Sequence, residues 1–424
     1  MKAERLRVLV VLPFYGGSLP IGRYCTSALR SLGHVVEEFD APAFHSAFSA
    51  LNGLRVTANR LEQLEGAFLQ VISQSIMAKV ETFEPDLVLA LAQAPMSRTL
   101  LRRLKREGIP TAMWFVEDYK IFTYWRAFAP LYDVFAIIQR EPFLTELAQA
   151  GQPNALYLPM AALAEFHKPL ELNPVEQRIF GADIGFLGAG YPNRRAAFRP
   201  LASQNFKIWG TEWDGENQLA RNVQRGGARI SAEDSVKIYN ATRININLHS
   251  SVQARELVPH GDFVNPRTFE LAAMQAFQLV DKRACMPDLF AEDELATFSS
   301  VTELYEKIEY FLRHPQESVE YAARARQRVL RDHTYQQRMC SLLDFVSQCL
   351  PGWPRPRSAS AFPQDMPEAL QRELAHLLQS VHLPADADFE DLIARLRQQT
   401  GALGGLETSL LFMDEWRKQY KTKS

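Results

Sequence analysis

Cysteine is scarce in this sequence: four in 424 residues, Cys25, Cys285, Cys340 and Cys349. No two of them form a CxxC pair, which excludes a zinc knuckle and a dithiol redox motif. Dispersed thiols of this kind suit a reducing compartment, so a cytoplasmic location is expected. An excess of one charge is also missing. Lys and Arg number 47 against 49 Asp and Glu, a net charge of -2, so nucleic acid is not expected as a partner. No stretch approaches the roughly 18 unbroken apolar residues of a transmembrane helix, and no transmembrane segment is expected. The opening "MKAERLRVLVVLPF" has an apolar run of only "VLVVLP" with no small-residue cleavage site behind it. It reads as a buried first strand rather than a signal segment. His260 shares a polar loop with Asp262, but no third ligand is spaced for a metal, and none is expected.

What is present is apolar material for more than one core: 47% hydrophobic and 23% charged residues, enough for two or three domains without staples. Short β-branched runs alternate with longer amphipathic ones. "RVLVVLP", "HVVEEFD", "DLVLALA", "TAMWFV", "VFAII" and "ALYLP" read as strands, with helices between them and one long helical region from about Ser46 to Phe83. Continuous apolar strands separated by helices predict a parallel sheet covered on both faces. The first Rossmann-like domain is therefore placed at 1–160. Met160 to Gly181 shows neither period and reads as a linker. The rhythm then restarts with "DIGFLG", "FKIWG", "RININLH" and "FQLVD", a second Rossmann-like domain at 182–334. "SAEDSVKIYNAT" has Ser231 as N-cap and an acidic first turn. A helix follows at 335–350, then a Pro- and Ser-rich break, then a helical C-terminal extension at 361–424. Its amphipathic stripes suit an intramolecular cap, and equally the docking of a protein acceptor or a second copy.

In open α/β sheets ligands bind beyond the carboxyl ends of the strands, so the loops there hold the candidates. After the first strand, Gly16 and Gly17 suit either a tight turn or close approach to an anion at a helix start. After "TAMWFV" stand Glu117 and Asp118. Asp118 suits general-base work or a grip on sugar hydroxyls, unless it is simply a solvated loop acid. After "DIGFLG", Gly188 and Gly190 make GxG, but Asn193 takes the place of the third glycine of a dinucleotide fingerprint, which disfavours NAD. Arg194 and Arg195 follow at a helix start, where guanidiniums suit a diphosphate or face solvent. Trp213 can flank a base or pack as core, whereas Trp209 reads as core. His249 follows "RININL" as a candidate acid–base group or a hydrogen-bonded structural histidine. In "NPRTFELAAMQAFQLVD", Glu270 falls near the start of a helix, where the positive helix end favours a carboxylate. A carboxylate there can accept both hydrogens of a ribose cis-diol, and Arg267 can meet a phosphate or sugar. The plain alternative is an i,i+3 surface ion pair, worth only a few tenths of a kcal/mol.

The succession "DIGFLGAGYPNRR", "FKIWGTEWD", "YNATRININLH", "NPRTFELAAMQAFQLVD" and "RVLRDHTYQQR" resembles CgeB-like (spore maturation type) glycosyltransferases of the GT-B group, over roughly 182–350. "WFVEDYK" in the first half is more loosely similar. The resemblance implies two facing Rossmann-like domains and transfer of a sugar from a nucleotide-diphosphate donor, a UDP-sugar foremost, to an acceptor, with no metal or cofactor required. It places Glu270 on the donor ribose and the arginines of "YPNRR" and "NPR" on the donor phosphates. Asp118 then stands on the acceptor side. One departure is plain: relatives carry Cys-Gly where Met274 and Gln275 stand here. This keeps open an alternative, a catalytically degenerate GT-B scaffold acting as a binding or partner protein.

Overall fold

The computed structural model describes residues 5–251, 257, 263–355, 362 and 365–421. The strands are β1 (Arg7–Val11), β2 (Val35–Phe39), β3 (Leu87–Leu91), β4 (Thr111–Phe115), β5 (Val134–Ile137), β6 (Ala155–Tyr157), β7 (Ala182–Leu187), β8 (Phe206–Trp209), β9 (Thr242–Asn247), β10 (Gln278–Asp281) and β11 (Ala296–Phe298). They form a six-stranded sheet of order β2-β1-β3-β4-β5-β6 and a five-stranded sheet of order β11-β10-β9-β7-β8. Pairing is parallel, as in β1 with β2 and β3, and in β7 with β8 and β9. The central strands β1, β3 and β4 are buried along their whole length. That is why "RVLVV", "LVLAL" and "TAMWF" are continuously apolar: crossover helices cover both faces of a parallel sheet. Two parallel α/β sheets, as the alternation predicts, make this a GT-B-type architecture.

The chain divides into two compact units, Met1–Trp114 with Pro130–Val134 and Phe345–Ser424, and Phe115–Ala129 with Phe135–Asp344. In the first, chain order reverses between β1 and β3, and the turn after β1 carries Gly16 at φ 98°. Only glycine adopts that conformation without strain. Gly17 then caps the helix Ser18–Ser31. The C-terminal helices Glu368–Ser380, Phe389–Leu396 and Gly405–Lys421 share a core of Leu374, Leu378, Leu392, Leu396 and Leu410. They are tied to their own unit by Arg5 on Asp391 at 2.7 Å, Lys418 on the Thr82 carbonyl at 2.7 Å and Gln398 on the Val36 carbonyl at 3.4 Å. Two of these ties reach the edge strand β2 and the end of the helix beside it, so the tail covers a sheet edge that would otherwise invite pairing.

Two expectations from the sequence change. The helical region from Ser46 to Phe83 is two helices, Pro42–Ala50 and Ala58–Phe83. A 3-10 turn at Leu51–Leu54 and Arg55 in the left-handed region (φ 52°) separate them. The apolar period runs on through this break, while Asn52-Gly53 marks it. The supposed linker contains a helix, Pro174–Phe180, started by a capping box in which Asn173 and Glu176 satisfy each other's backbone N–H groups.

In the second unit the chain order reverses between β7 and β9, which makes the carboxyl ends of these two strands the expected binding crevice of this sheet. Phe186, Phe198, Ile208, Ile246, Leu279 and Phe298 form its core. The helix Ala232–Ala241 is capped as expected, the Ser231 hydroxyl accepting the Asp234 N–H at 3.1 Å. Among the described residues no helix is long and apolar enough to cross a membrane.

Candidate functional site

The crevice is built from four strand ends. From β7 the chain turns through Gly188-Ala189-Gly190 into the helix Pro192–Phe198. From β8 it runs through Gly210 to Trp213. From β9 it passes Leu248 and His249, and the helix Pro266–Ala273 precedes β10. Asp281 ends β10.

The loops after β7 and β8 are sewn together. Gly188 and Gly190 N–H groups donate to the Trp209 and Thr211 carbonyls at 2.8 and 2.9 Å. Trp213 Nε1 donates to the Gly188 carbonyl at 3.0 Å, and its ring packs on Phe198. Trp213 is therefore core, the second of its two readings, and so is Trp209. A β-carbon on Gly190 would enter the Glu212 carbonyl, and one on Gly210 would stand 2.5 Å from the Gly188 oxygen. The glycines are required by backbone packing against backbone.

Arg194 and Arg195 lie in the helix that follows this loop, and their donors are spent on backbone carbonyls. Arg194 is buried, and donates from Nε and Nη2 to the Leu248 carbonyl at 3.0 and 2.8 Å and from Nη1 to the Ala189 carbonyl at 3.0 Å. Burial pushes its guanidinium down to about 9. Arg195 donates to the carbonyls of Gly190 at 2.6 Å, Asp214 at 2.9 Å and Glu212. Both guanidiniums thus brace backbone carbonyls of the loops after β7, β8 and β9. Asn193 adds a tie that the broken fingerprint did not suggest. Its amide donates to the His249 carbonyl at 2.8 Å and accepts the Ser251 N–H at 3.0 Å.

His249 departs from the acid–base part read for it. Its Nδ1 lies 2.7 Å from Asp281 Oδ1, and its Nε2 accepts the Asn265 backbone N–H at 3.0 Å. Burial pushes the imidazole down to about 4, so the ring is neutral, with its proton toward Asp281. Both nitrogens are occupied, and none is left for proton exchange with a substrate. Burial works against the Asp281 carboxylate, yet His249 and Arg283 together hold it below the usual range. The histidine's work is to fix Asn265. Asn265 Oδ1 caps the helix by accepting the Thr268 N–H at 3.0 Å, worth about 1 kcal/mol. Its amide donates to Asn247 Oδ1 at 2.8 Å, and Asn247 in turn donates to Thr268 Oγ1 and Gln278 Oε1 at 2.9 and 3.0 Å. A buried, mutually satisfied polar chain thus sets the helix's position rigidly.

That helix carries Arg267 and Glu270. Arg267 Nε donates to the buried Tyr239 hydroxyl at 3.0 Å, and its guanidinium stands 5.3 Å from the Phe186 ring. Its Nη1 is buried without a hydrogen-bond partner. Glu270 has its side chain 18% exposed, with no hydrogen bond to its carboxyl among the described residues; its nearest cationic-type neighbour is His167 Nε2 at 3.9 Å. The plain alternative, an i,i+3 ion pair between Arg267 and Glu270, is not formed among the described residues. Instead of being held ionised by the helix end, the Glu270 carboxyl is pushed up to about 7 by burial, against the pull of Arg267. Glu270 is the fifth residue of the helix, beyond the turn where the dipole acts. Arg267 and Glu270, three residues apart, thus present a buried unpartnered donor and an unengaged carboxyl on one helix face.

The other candidates are placed as follows. Gly188 faces Arg267: a β-carbon there would stand 3.1 Å from Nη2. Asp118 follows β4; its Oδ1 accepts the Lys120 N–H at 2.8 Å and its carbonyl accepts from Ile121 and Phe122, a tight turn. Gly16 and Gly17 belong to the other compact unit. Among the described residues no three His, Cys, Asp or Glu cluster as metal ligands; His260 and Asp262 lie outside them. Gln275 stands at φ 56°, at the helix end where glycine is usual, with its N–H on the Ala272 carbonyl at 3.0 Å. It precedes β10, so it lies at the amino ends of the strands, opposite the crevice. Gln275→Gly is expected to raise stability by about 1 kcal/mol in urea unfolding and to leave ligand affinity unchanged.

The fold is that of GT-B glycosyltransferases. It superposes on sucrose-phosphate synthase (tll1590) from Thermosynechococcus elongatus with TM-score 0.56 and 12% identity, over 81% of this chain and 99% of that one. It superposes equally on Anabaena Alr3699/HepE, solved in complex with UDP and glucose, with TM-score 0.56 and 13% identity, over 81% and 100%. Residues 194–344 match the family described as glycosyl transferase-like. The chain is similar to the spore protein CgeB of Bacillus subtilis (strain 168), 25% identical over 264 residues, 59% of this chain and 79% of that protein. The resemblance to CgeB-like GT-B glycosyltransferases is borne out by the match in family and in fold.

Proposed function

We propose that this protein is a nucleotide-sugar-dependent glycosyltransferase whose donor, a UDP-sugar, binds at the carboxyl ends of β7 and β9. The observation that carries this reading is the pair Arg267 and Glu270, a buried unpartnered guanidinium nitrogen and an unengaged carboxyl presented together. Glu270 accepts the two ribose hydroxyls, and Arg267 donates Nη1 to a diphosphate oxygen. As the glycosidic bond to the diphosphate breaks, negative charge grows on the leaving oxygen, and a fixed guanidinium stabilises it. The braced loop at Gly188–Gly190 shapes the crevice, with Arg194 and Arg195 holding it from behind. Asp118 serves the acceptor hydroxyl as base. The UDP-bound state of Alr3699/HepE supports the choice of nucleotide. Gln275 lies on the far pole from these groups, so the departure that suggested a degenerate scaffold does not bear on them.

UDP is expected to protect the protein from heat, with ADP and GDP at the same concentration protecting less. Arg267→Met is expected to lose most of the UDP shift while retaining cooperative melting. Incubation with a panel of UDP-sugars should release UDP from one of them slowly in the absence of acceptor. No protection by any nucleoside diphosphate, and no UDP release, overturns the reading.

A further inference from the structure

The segment between the two sheets brings a histidine to the site that neither spacing nor resemblance singled out. His167 is buried. Its backbone N–H donates to the Leu163 carbonyl at 2.7 Å, and its Nδ1 accepts the Leu163 N–H at 3.0 Å. This closed ring of two hydrogen bonds fixes the imidazole. Burial pushes it down to about 3, so it stays neutral, and with Nδ1 an acceptor its single proton sits on Nε2. That nitrogen lies 3.9 Å from Glu270 Oε1, beyond a hydrogen bond but one small rotation of the carboxyl away from it.

The segment is anchored on both sides. The Ala162 N–H donates to the His333 carbonyl and the Ala162 carbonyl accepts the Tyr335 N–H, each at 3.0 Å. Arg338 donates to the Pro159 and Met160 carbonyls at 2.7 and 3.2 Å. Beyond the histidine, Leu170 N–H donates to Asn240 Oδ1 at 3.0 Å. So much ordering for a turn without helix or strand period places one N–H donor beside one carboxyl.

We propose that His167 is a positioning residue of the donor site: its Nε2–H donates to one oxygen of the Glu270 carboxylate when nucleotide binds, turning the other lone pairs onto the ribose diol. This rests on the reading of Glu270 as the ribose acceptor. The other groups facing Glu270 are Arg267, on its own helix, and the Tyr239 hydroxyl, from Ala232–Ala241, already engaged by Arg267. Arg326, from Pro315–Asp332, ends on the Ala273 carbonyl at the far end of the helix. Of these only the Tyr239 hydroxyl is a neutral donor, and among the described residues it is not hydrogen-bonded to the carboxylate.

The test is UDP affinity by calorimetry between pH 5.5 and 8.5, with 2′,3′-dideoxy-UDP as the comparison. His167→Leu is expected to weaken UDP about tenfold, the worth of one hydrogen bond to a charged group, and to move the midpoint of its pH dependence upward. His167→Gln, whose side-chain amide N–H reaches a similar distance, is expected to restore both; dideoxy-UDP binding should not differ among the three. His167→Asn, too short to reach, repeats the loss should the leucine variant not fold. UDP affinity and midpoint unchanged in His167→Leu or His167→Asn, or a glutamine variant no better than these, overturns the proposal while the preference for UDP over dideoxy-UDP keeps the ribose reading. Equal binding of UDP and dideoxy-UDP by the wild type overturns both.

Discussion

Glu270→Gln is expected to weaken UDP binding by roughly a hundredfold and at the same time to make the free protein more stable above neutral pH. Two hydrogen bonds from a diol to a carboxylate are charge-assisted, worth about 1.5–3 kcal/mol each at best, and an amide keeps only part of this. The stability effect follows from the carboxyl being pushed up to about 7 in the folded state, from an ordinary value of 4.5. Between these values the folded chain holds a proton that the unfolded chain has released. Stability therefore falls as pH rises from about 4.5 to 7 and stays lower above, by an amount on the order of 1–3 kcal/mol. Glutamine removes that slope. Urea midpoints of wild type and variant should converge near pH 4.5 and separate by pH 8, with the variant higher. UDP affinity of the wild type should climb as pH rises toward 7, because the bound form needs the carboxylate, and that climb should vanish in the variant. A variant that binds UDP like the wild type at pH 8 sinks the role given to Glu270. A variant less stable at pH 8 sinks the account of its burial.

The contrast between Glu270 and His249 shows what was legible in the residues. Strands were legible because a parallel sheet covered on both faces demands unbroken apolar runs, and "DIGFL" and "FQLV" have no other use. Glu270 was legible because "NPRTFE" carries a cap, a proline at the first helical position and a carboxylate within two turns. The direction of its ionisation was not, because burial depends on what the chain returns from afar: Tyr239 and His167 both come from other segments. Arg194, Arg195 and Arg267 look alike in sequence, each at a helix start beside the same crevice. Whether a guanidinium turns to backbone carbonyls or stays open is decided by loop curvature, which no local spacing records. His249 and Asp281 lie 32 residues apart, so the engagement of both ring nitrogens could not be read locally. The pair Asn245 and Asn247 in "RININLH" was a signal that went unused: polar residues two apart on a buried strand face require partners, and here Asn247 finds the helix that carries the site.

Gly190→Ala is expected to cost about 3 kcal/mol of stability and most of the nucleotide affinity. The added carbon would enter the Glu212 carbonyl and stand 2.9 Å from its carbon and 3.0 Å from the Trp213 ring. These are backbone and a buried indole, so neither can swing away as a surface side chain would. Glu212 is itself at φ 63°, a left-handed residue already under constraint, and its oxygen is gripped by Arg195. Moving it breaks that bond, and shifting Trp213 breaks the indole bond to Gly188. The cost is overpacking of 1–3 kcal/mol together with orphaned carbonyls. Gly188→Ala provides the internal comparison. Its carbon would meet the Phe186 ring and Arg267 Nη2, at 3.0 and 3.1 Å, side-chain atoms that can move by tenths of an ångström, while its φ of 156° is one that alanine adopts only with strain. It should cost about 1–2 kcal/mol of stability, through backbone strain rather than a clash with fixed backbone, yet still weaken UDP, because it displaces Arg267, the group proposed to meet the diphosphate. Urea unfolding followed by tryptophan fluorescence, paired with UDP affinity, separates the two cases. A Gly190→Ala variant as stable as the wild type would show that the loops after β7 and β8 are not locked together, and the crevice would lose the rigid wall against which a diphosphate is held.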